Sequence, residues 1–336
     1  MHFYKLMFSS SLIIGTLISI SSYTWVGMWL GLEINLLSII PLMSNTKNSM
    51  ASEAAMKYFI TQALASTLLL FSVIMMSMNF MYHINSTYLM TILNTSLFMK
   101  MGAAPFHFWF PEVMEGLNWT NSFIMLTWQK IAPMVLISYS ALNMKYFMAV
   151  MILSSIISGI MGINQVSMRK ILAYSSINHI SWMLSSMLFF EAIWMFYFLV
   201  YSIITFNIII ILSKYNIFYM TQLFSSINNQ PIIKFFFMLN FLSLGGLPPF
   251  LGFLPKWLTI QILIKNNLYM ISLIVIVMTL ITLFFYMRIT MMALIYSHNK
   301  LSYYNMPYMK SLINIYIINF ISLMGLLFIT IIFNFD

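Results

Sequence analysis

Long apolar runs alternate with short polar or helix-breaking clusters along almost the whole chain. A helix needs about 20 residues to cross a membrane, and most of the runs are close to that length. They predict eleven transmembrane spans, at approximately 6–23, 25–43, 54–78, 87–116, 118–140, 146–164, 171–188, 192–213, 232–264, 267–291 and 311–333. The longest polar interruptions, at 44–53, 214–231 and 297–310, are too short to fold as separate soluble domains. We therefore expect one all-α polytopic membrane domain over residues 1–336.

Composition supports the membrane class and excludes several others. Of the 336 residues, 62% are hydrophobic and 6% are charged, whereas a soluble domain has about 25% charged residues. The absence of cysteine excludes disulfides and cysteine-held iron–sulfur clusters. The five histidines lack metal-ligand spacing, no phosphate-binding or dinucleotide motif occurs, and the net charge of +9 forms no basic stripe for nucleic acid. We expect neither a cofactor nor a metal in this chain.

The positive charges predict an orientation. Eleven spans place the two termini on opposite sides of the membrane. Ten positively charged residues then share the side of the N-terminus: Lys5, Lys47, Lys57, Arg169, Lys170, Lys214, Lys234, Arg288, Lys300 and Lys310. Only Lys145 and Lys265 fall on the other side. Because loops on the cytoplasmic side carry an excess of Lys and Arg, the N-terminus is expected to face the cytoplasm-like compartment.

Two of the predicted spans carry a similar proline–glycine break. GAAPFHFWFP at 102–111 and GLPPFLGFLP at 246–255 align without gaps at an offset of 144, with Gly, Pro, Phe and Pro shared. The residues expected to open the helices are Gly102, Pro105, Gly246, Pro248 and Pro249, because proline removes a backbone donor and clashes with the preceding turn. Opened backbone inside a membrane is tolerated only within protein or beside a water-filled cavity.

Corresponding interrupted spans in two halves are typical of transporters built from repeats. An odd number of spans separates the two breaks, which predicts inverted repeats at about 6–140 and 146–291, followed by a C-terminal helix at 311–333. The alternative is two ordinary kinked helices that resemble each other through low complexity.

Four charged residues fall inside the predicted spans: Glu33, Lys100, Lys130 and Lys256. Each costs about 2.5–3.5 kcal/mol at the bilayer centre, so these residues must pair, contact water or be partly neutral. Burial favours the neutral form of a lysine, and a nearby carboxylate favours the charged form. A lysine that alternately gains and loses a carboxylate partner can therefore load and release a proton. The alternative for Glu33 and one lysine is a static ion pair that fixes packing.

Two histidines are candidate proton relays. The offset of 144 carries Glu33 to position 177, two residues before His179, and histidine titrates near neutral pH. His107 lies within the first break. A hydrogen-bonded core histidine remains the alternative for His179. Glu112 and Glu115 end the first broken span, where they are either solvated end residues or gate residues.

Six segments together resemble a known family. They are GLEINL at 31–36, EAAMKYF at 53–59, KMGAAPFHFWFP at 100–111, TWQKIAP at 127–133, MRKILAYSSINH at 168–179 and LSLGGLPPFLGFLPKW at 242–257. In this order they resemble the subunit 2 family of mitochondrial NADH:ubiquinone oxidoreductase (respiratory complex I), which are antiporter-like membrane subunits. The Met- and Ile-rich, cysteine-free composition is similar to that of insect members.

The resemblance implies a proton-translocating subunit of the membrane arm. It implies that Glu33 pairs with Lys100, that Lys130 is the connecting lysine of the central hydrophilic axis, and that Lys256 serves the exit half-channel. NADH, FMN, iron–sulfur clusters and ubiquinone would belong to partner subunits. The partners would be other membrane-arm subunits, including further antiporter-like ones, and lipids. The chain would lie in the mitochondrial inner membrane, with its N-terminus in the matrix and its C-terminus in the intermembrane space.

Two other functions remain open at this point: a stand-alone cation/proton antiporter of the same fold, and a structural scaffold. Moving a proton against a membrane potential costs about 2.3 kcal/mol per 100 mV, and no nucleotide or redox motif here supplies that energy. This consideration favours a subunit. The offset of 144 maps Lys130 to Ile274, so we expect one proton path made of two unequal half-channels.

Overall fold

The computed structural model describes residues 3–45, 48–82, 86–140, 143–227 and 231–295, together with Asn319, Phe320 and Gly325. Within these residues the chain forms fourteen α-helices, and its only β-type pairing is an isolated bridge between Ser167 and Tyr219. The expected all-α class is confirmed for this part of the chain. The predicted C-terminal helix at 311–333 lies outside the described residues, apart from the three named above.

The helix bounds follow the apolar runs closely. They are α1 Phe3–Ser21, α2 Trp25–Met43, α3 Ser49–Tyr82, α4 Ser86–Met101, α5 Trp109–Gly116, α6 Trp119–Leu126, α7 Trp128–Tyr139, α8 Met144–Ile163, α9 Met168–Met187, α10 Glu191–Lys214, α11 Met220–Ile227, α12 Pro231–Gly245, α13 Phe253–Lys265 and α14 Tyr269–Ile295. Six described helices are each long and apolar enough to cross a membrane unbroken: α1, α2, α3, α8, α10 and α14.

Three predicted spans are divided in two. The breaks expected at 102–111 and 246–255 separate α4 from α5 and α12 from α13. No break was predicted in the span at 118–140, but α6 ends at Leu126 and α7 begins at Trp128. Thr127 between them has φ −116° and ψ −71°, and its hydroxyl donates to the Phe123 carbonyl. The third break therefore lies three residues before Lys130.

The chain divides into two compact units, Met1–Ser154 and Ser155–Asp336, with the division inside α8. In the first unit, α3 packs against α2, α4 and α5, and α7 packs against α1, α4 and α6. In the second unit, α9 packs against α10, α13 and α14. Every residue of α9 from Ile171 to Met187 is buried. This burial explains why a helix rich in serine, with Asn178 and His179, is the central helix of its unit.

One short helix was not expected from the sequence. The polar interruption at 214–231 contains α11, which packs against α12 and α14. Next to it, Met168 donates its backbone N–H to Phe218, and Met220 donates to Val166. The Arg169 guanidinium lies 4.6 Å from the centre of the Phe218 ring. These contacts order a polar segment at one end of the second unit.

Candidate functional site

The two breaks have the same backbone conformation. Gly102 has φ +73° and Gly246 has φ +80°, both in the left-handed region that glycine adopts without strain. Four backbone hydrogen bonds of the first break recur in the second at the offset of 144. They are 102→99, 103→98, 106→103 and 110→107 in the first, and 246→243, 247→242, 250→247 and 254→251 in the second. Shared low complexity does not account for this detailed correspondence, so the two breaks form a true local repeat.

Each break leaves helical carbonyl groups without their usual backbone partners. In the second unit, the Lys256 ammonium donates to the carbonyls of Leu244 and Gly245, at 2.9 Å each. Lys256 is 6% exposed, and its Nζ lies 5.9 Å from the centre of the Trp182 ring of α9. Because the C-terminal end of a helix is partially negative, the cation at this position is stabilised by α12 itself.

In the first unit, neutral donors contact carbonyls at the C-terminal end of α4, and of these the Lys100 carbonyl is the equivalent of Leu244. The Gln62 side-chain amide donates to the Lys100 carbonyl at 3.3 Å, and the Trp109 indole donates to the Met99 carbonyl at 3.1 Å. The position equivalent to Lys256 is Glu112, whose side chain is 56% exposed. The two breaks therefore share a backbone conformation but differ in charge, because Glu112 in the first stands where Lys256 stands in the second.

Glu112 takes part in a surface ion-pair cluster. Its carboxylate lies 2.8 Å from the Lys57 ammonium, which also lies 2.9 Å from the Glu53 carboxylate. The cluster links α3 to α5 just beyond the first break. This position agrees with the solvated-end interpretation of Glu112.

Glu33 and Lys100 do not form a contact ion pair. The described side chains of Glu33 and Lys100 make no ion pair with each other within 4.0 Å. Glu33 Oε1 and Lys100 Nζ are buried, and no protein group of the described part lies within hydrogen-bonding distance of either atom. Glu33 nevertheless lies close enough to Lys100 for a Coulomb interaction between a carboxylate and an ammonium. The two charges are thus coupled across a gap, which is not the geometry of a static packing pair.

Lys130 lies on α7 near the α6–α7 break, and only 1% of it is exposed. Its Nζ is 5.3 Å from the centre of the ring of Phe110, which lies at the start of α5 within the first broken segment. Its neighbour Gln129 was not singled out as a functional residue in the sequence. The Gln129 amide donates to Asn35 Oδ1 at 2.8 Å and accepts from the Tyr58 hydroxyl at 3.3 Å. A partly buried polar bridge therefore joins α2, α3 and α7, through residues close in sequence to Glu33 and Lys130.

His179 lies in a buried group of tyrosines in the second unit. A 2.8 Å hydrogen bond joins its Nδ1 to the Tyr197 hydroxyl, and the Tyr201 ring centre is 4.9 Å from that of the imidazole. Tyr286 of α14 is also buried in this unit. On the same helix, Asn178 donates to the Thr282 hydroxyl at 3.2 Å. Sequence reasoning missed these tyrosines, because they lie within ordinary apolar runs.

His107 has a local partner. Its Nδ1 lies 3.3 Å from the Pro105 carbonyl oxygen, a position in which an Nδ1–H donates to it, and its ring centre is 4.4 Å from that of Phe108. The residue is buried within the first break. The described part of the chain contains no group of three or more His, Asp or Glu residues that could hold a metal ion.

Two helical units with matching broken helices and buried lysines define an antiporter-like, multi-pass membrane protein. A family model described as "NADH:quinone oxidoreductase/Mrp antiporter, TM" matches residues 22–282. Proteins called NADH-ubiquinone oxidoreductase chain 2 are similar over nearly the full length. The one from Anopheles gambiae is 49% identical over 335 residues, or 97% of each chain, and the one from Locusta migratoria is 49% identical over 326 residues. The Locusta match covers 96% of this chain and 95% of that one.

Solved structures share the fold. A chain of respiratory complex I from Thermus thermophilus superposes with a TM-score of 0.80 at 23% identity, covering 87% of this chain and 71% of that one. A chain of an archaeal membrane-bound sulfane sulfur reductase gives a TM-score of 0.81 at 15% identity, covering 98% and 73%. The chain therefore belongs to the NADH:quinone oxidoreductase/Mrp antiporter family, together with the chain 2 proteins of insect NADH-ubiquinone oxidoreductases.

Proposed function

We propose that this chain is a proton-translocating membrane-arm subunit of NADH:ubiquinone oxidoreductase in the mitochondrial inner membrane. Its near full-length similarity to two insect chain 2 proteins supports this assignment. NADH oxidation, FMN, iron–sulfur clusters and ubiquinone reduction belong to partner subunits. The other membrane-arm subunits, further antiporter-like ones among them, supply the driving signal.

The observation that carries the proposal is the contact of Lys256 with the freed carbonyls of α12. An ammonium at this position adds a full positive charge at the partially negative helix end. Loss of the proton removes that charge while the carbonyls stay in place. Protonation of Lys256 therefore changes the net charge at the end of α12. This is expected for a side chain that takes up and releases protons during turnover.

The proposed path has two unequal halves. In the first unit it uses Glu33, Lys100 and Lys130, with His107 as the candidate relay at the break. In the second unit it uses His179 and Lys256. The burial of Glu33 Oε1 and Lys100 Nζ without a hydrogen-bond partner in the described part of the chain supports the first half. We further propose that the N-terminus faces the matrix and the C-terminus faces the intermembrane space.

The test uses Lys256→Met in the assembled enzyme, with Lys265→Met as the control. Both lysines lie on α13, but Lys265 is exposed at its end. Proton uptake by sealed inner-membrane vesicles is measured per NADH oxidised. We expect Lys256→Met to lose most of this proton translocation and Lys265→Met to retain it, because only Lys256 contacts the break.

Two outcomes would favour the other functions. Unchanged proton uptake in both Lys256→Met and Lys130→Met, with assembly intact, would favour the scaffold. A free 39.2 kDa protein that exchanges cations for protons by itself, and does not migrate with an NADH-oxidising assembly in a native gel, would favour the stand-alone antiporter.

A further inference from the structure

Two adjoining cavities lie between α1, α2 and α6 in the first unit. The first has a volume of about 340 Å³ and lies where α1 and α6 begin and α2 ends. Its polar lining comes from Lys5, Ser44, Asn45, Asn118, Thr120 and Asn121. Lys5 is the only charged residue among its described lining residues. The position at three helix ends places this cavity at the membrane surface.

The second cavity lies farther from the surface ends of the same helices. It has a volume of about 160 Å³ and shares Leu42 with the first. Its lining is mainly apolar, from Leu12, Ile13, Leu42, Phe123, Ile124 and Trp128. A helix rises about 1.5 Å per residue, so Leu12 lies about 10 Å deeper along α1 than Lys5. A polar surface cavity and a deeper apolar groove thus adjoin at Leu42.

We propose that these two cavities bind one phospholipid with an anionic headgroup. The phosphate occupies the surface cavity beside Lys5, and one acyl chain lies in the apolar groove. The charge is complementary, because α1 and α6 contain no acidic residue and Glu33 is the only one in α2. Glu33 is nine residues from Leu42, about 13 Å along the helix axis, and lines neither cavity. Asn121 already donates to the Leu42 carbonyl at 2.8 Å, which holds α6 against α2 at the junction.

The bound lipid has a consequence for the proposed proton path. The inner end of the groove is lined by Thr127 and Trp128, at the break between α6 and α7. Lys130 follows within one helical turn. An acyl chain in the groove would cover the apolar surface beside this break and support its conformation. Lipid binding itself does not depend on proton movement through the lysines.

The experiment uses photoactivatable lipids on the assembled enzyme. The enzyme is reconstituted in phosphatidylcholine vesicles containing a minor fraction of phosphatidylglycerol with a diazirine in its acyl chain. After illumination, the labelled peptides of this chain are quantified. We expect label on α1 and on the α6–α7 segment. Lys5→Gln should reduce phosphatidylglycerol labelling about fivefold, the effect of one lysine near an anionic lipid, and should leave labelling by a diazirine phosphatidylcholine unchanged.

Matched variants separate the groove from the general surface. Ile13→Trp fills the groove and should reduce labelling by both lipids, whereas Leu17→Trp, on the same helix but outside the cavities, should not. Lys145→Gln is the control for lysine loss away from the cavity. Equal phosphatidylglycerol labelling in Lys5→Gln and the unmodified enzyme would overturn the proposal. So would a helix of a neighbouring subunit cross-linked into the groove in place of lipid.

Discussion

At the second break, the Lys256 side chain occupies the space in which a Cβ atom of residue 246 would lie. A Cβ atom on Gly246 would lie 2.7 Å from Lys256 Cδ and 3.0 Å from Nζ. The glycine is therefore needed both for its left-handed backbone, at φ +80°, and for the space that the lysine side chain occupies. At the first break, a Cβ on Gly102 would instead meet the Phe110 side chain at 3.1 Å.

Gly246→Ala is expected to destabilise the second unit and to disturb Lys256. The left-handed conformation alone costs a non-glycine residue about 1–2 kcal/mol, and the new methyl group displaces the lysine side chain. Gly245→Ala is the matched control, because its Cβ would meet Leu283 at an ordinary 3.5 Å and alanine favours a helix by about 0.5–1 kcal/mol. The measurements are the thermal midpoint of the assembled enzyme and its proton uptake per NADH. Equal effects of the two substitutions would contradict this interpretation.

For single residues, burial could be predicted from the sequence, but the contacts of the side chain could not. The burial of Lys130 and Lys256 could be predicted, because hydropathy places a residue at a depth in the membrane. Their partners could not, because hydropathy does not say which neighbours a side chain faces. Gln129 and Asn35 are 94 residues apart in the chain and meet only through the packing of α2 and α7.

At the scale of helices, α1 and α2 pack with their backbones in close approach. A Cβ atom on Gly31 would lie 2.5 Å from the Ser19 amide nitrogen and 2.8 Å from the Gly15 carbonyl oxygen. Small residues at helix contacts are typical of membrane proteins, where van der Waals packing drives association. Glu33 follows Gly31 by two residues, so this contact also sets the position of the carboxylate.

Gly31→Ala is expected to separate α1 from α2. The atoms that the methyl group would meet belong to the backbone, which cannot rotate away, so we expect a destabilisation of about 1–3 kcal/mol. For comparison, the nearest atom to a Cβ on Gly159, inside α8, is 3.5 Å away, so Gly159→Ala should not destabilise the chain and should favour the helix by about 0.5–1 kcal/mol. Native gels report the yield of the assembled enzyme, and a thermal scan reports its midpoint. Normal assembly and an unchanged midpoint in Gly31→Ala would refute the close-contact argument.

The three helix breaks differ in how well they can be predicted from the sequence. The breaks at Gly102 and Gly246 carry the glycine and proline residues that open a helix, and both were predicted to within a few residues. The break at Thr127 has no such residue beside it; the nearest proline, Pro133, lies six residues later inside α7. The short helix α11 was missed for a similar reason, because its stability comes from packing on α12 and α14 and its own length of eight residues is marginal.

At the scale of the whole chain, the two units repeat a backbone conformation without repeating its charges. The four hydrogen bonds of each break coincide at the offset of 144. Lys256 nevertheless corresponds to Glu112, and Lys130 corresponds to Ile274. The local glycine and proline residues are sufficient to determine the backbone conformation of the break. The charged residues near it depend instead on the function of each unit. This difference is the physical basis for proposing two unequal half-channels.

The proposed orientation can be tested because the chain contains no cysteine. Five predicted spans lie between Lys5 and Lys145, both exposed, so single cysteines at these positions should lie on opposite faces of the membrane. A membrane-impermeant maleimide should label Lys5→Cys in inside-out inner-membrane vesicles and Lys145→Cys in mitoplasts, each from that side only. The reverse pattern would invert the orientation and contradict the positive-inside rule. Labelling of both cysteines from one side would instead contradict the number of spans between them, since an odd number of crossings must change the face.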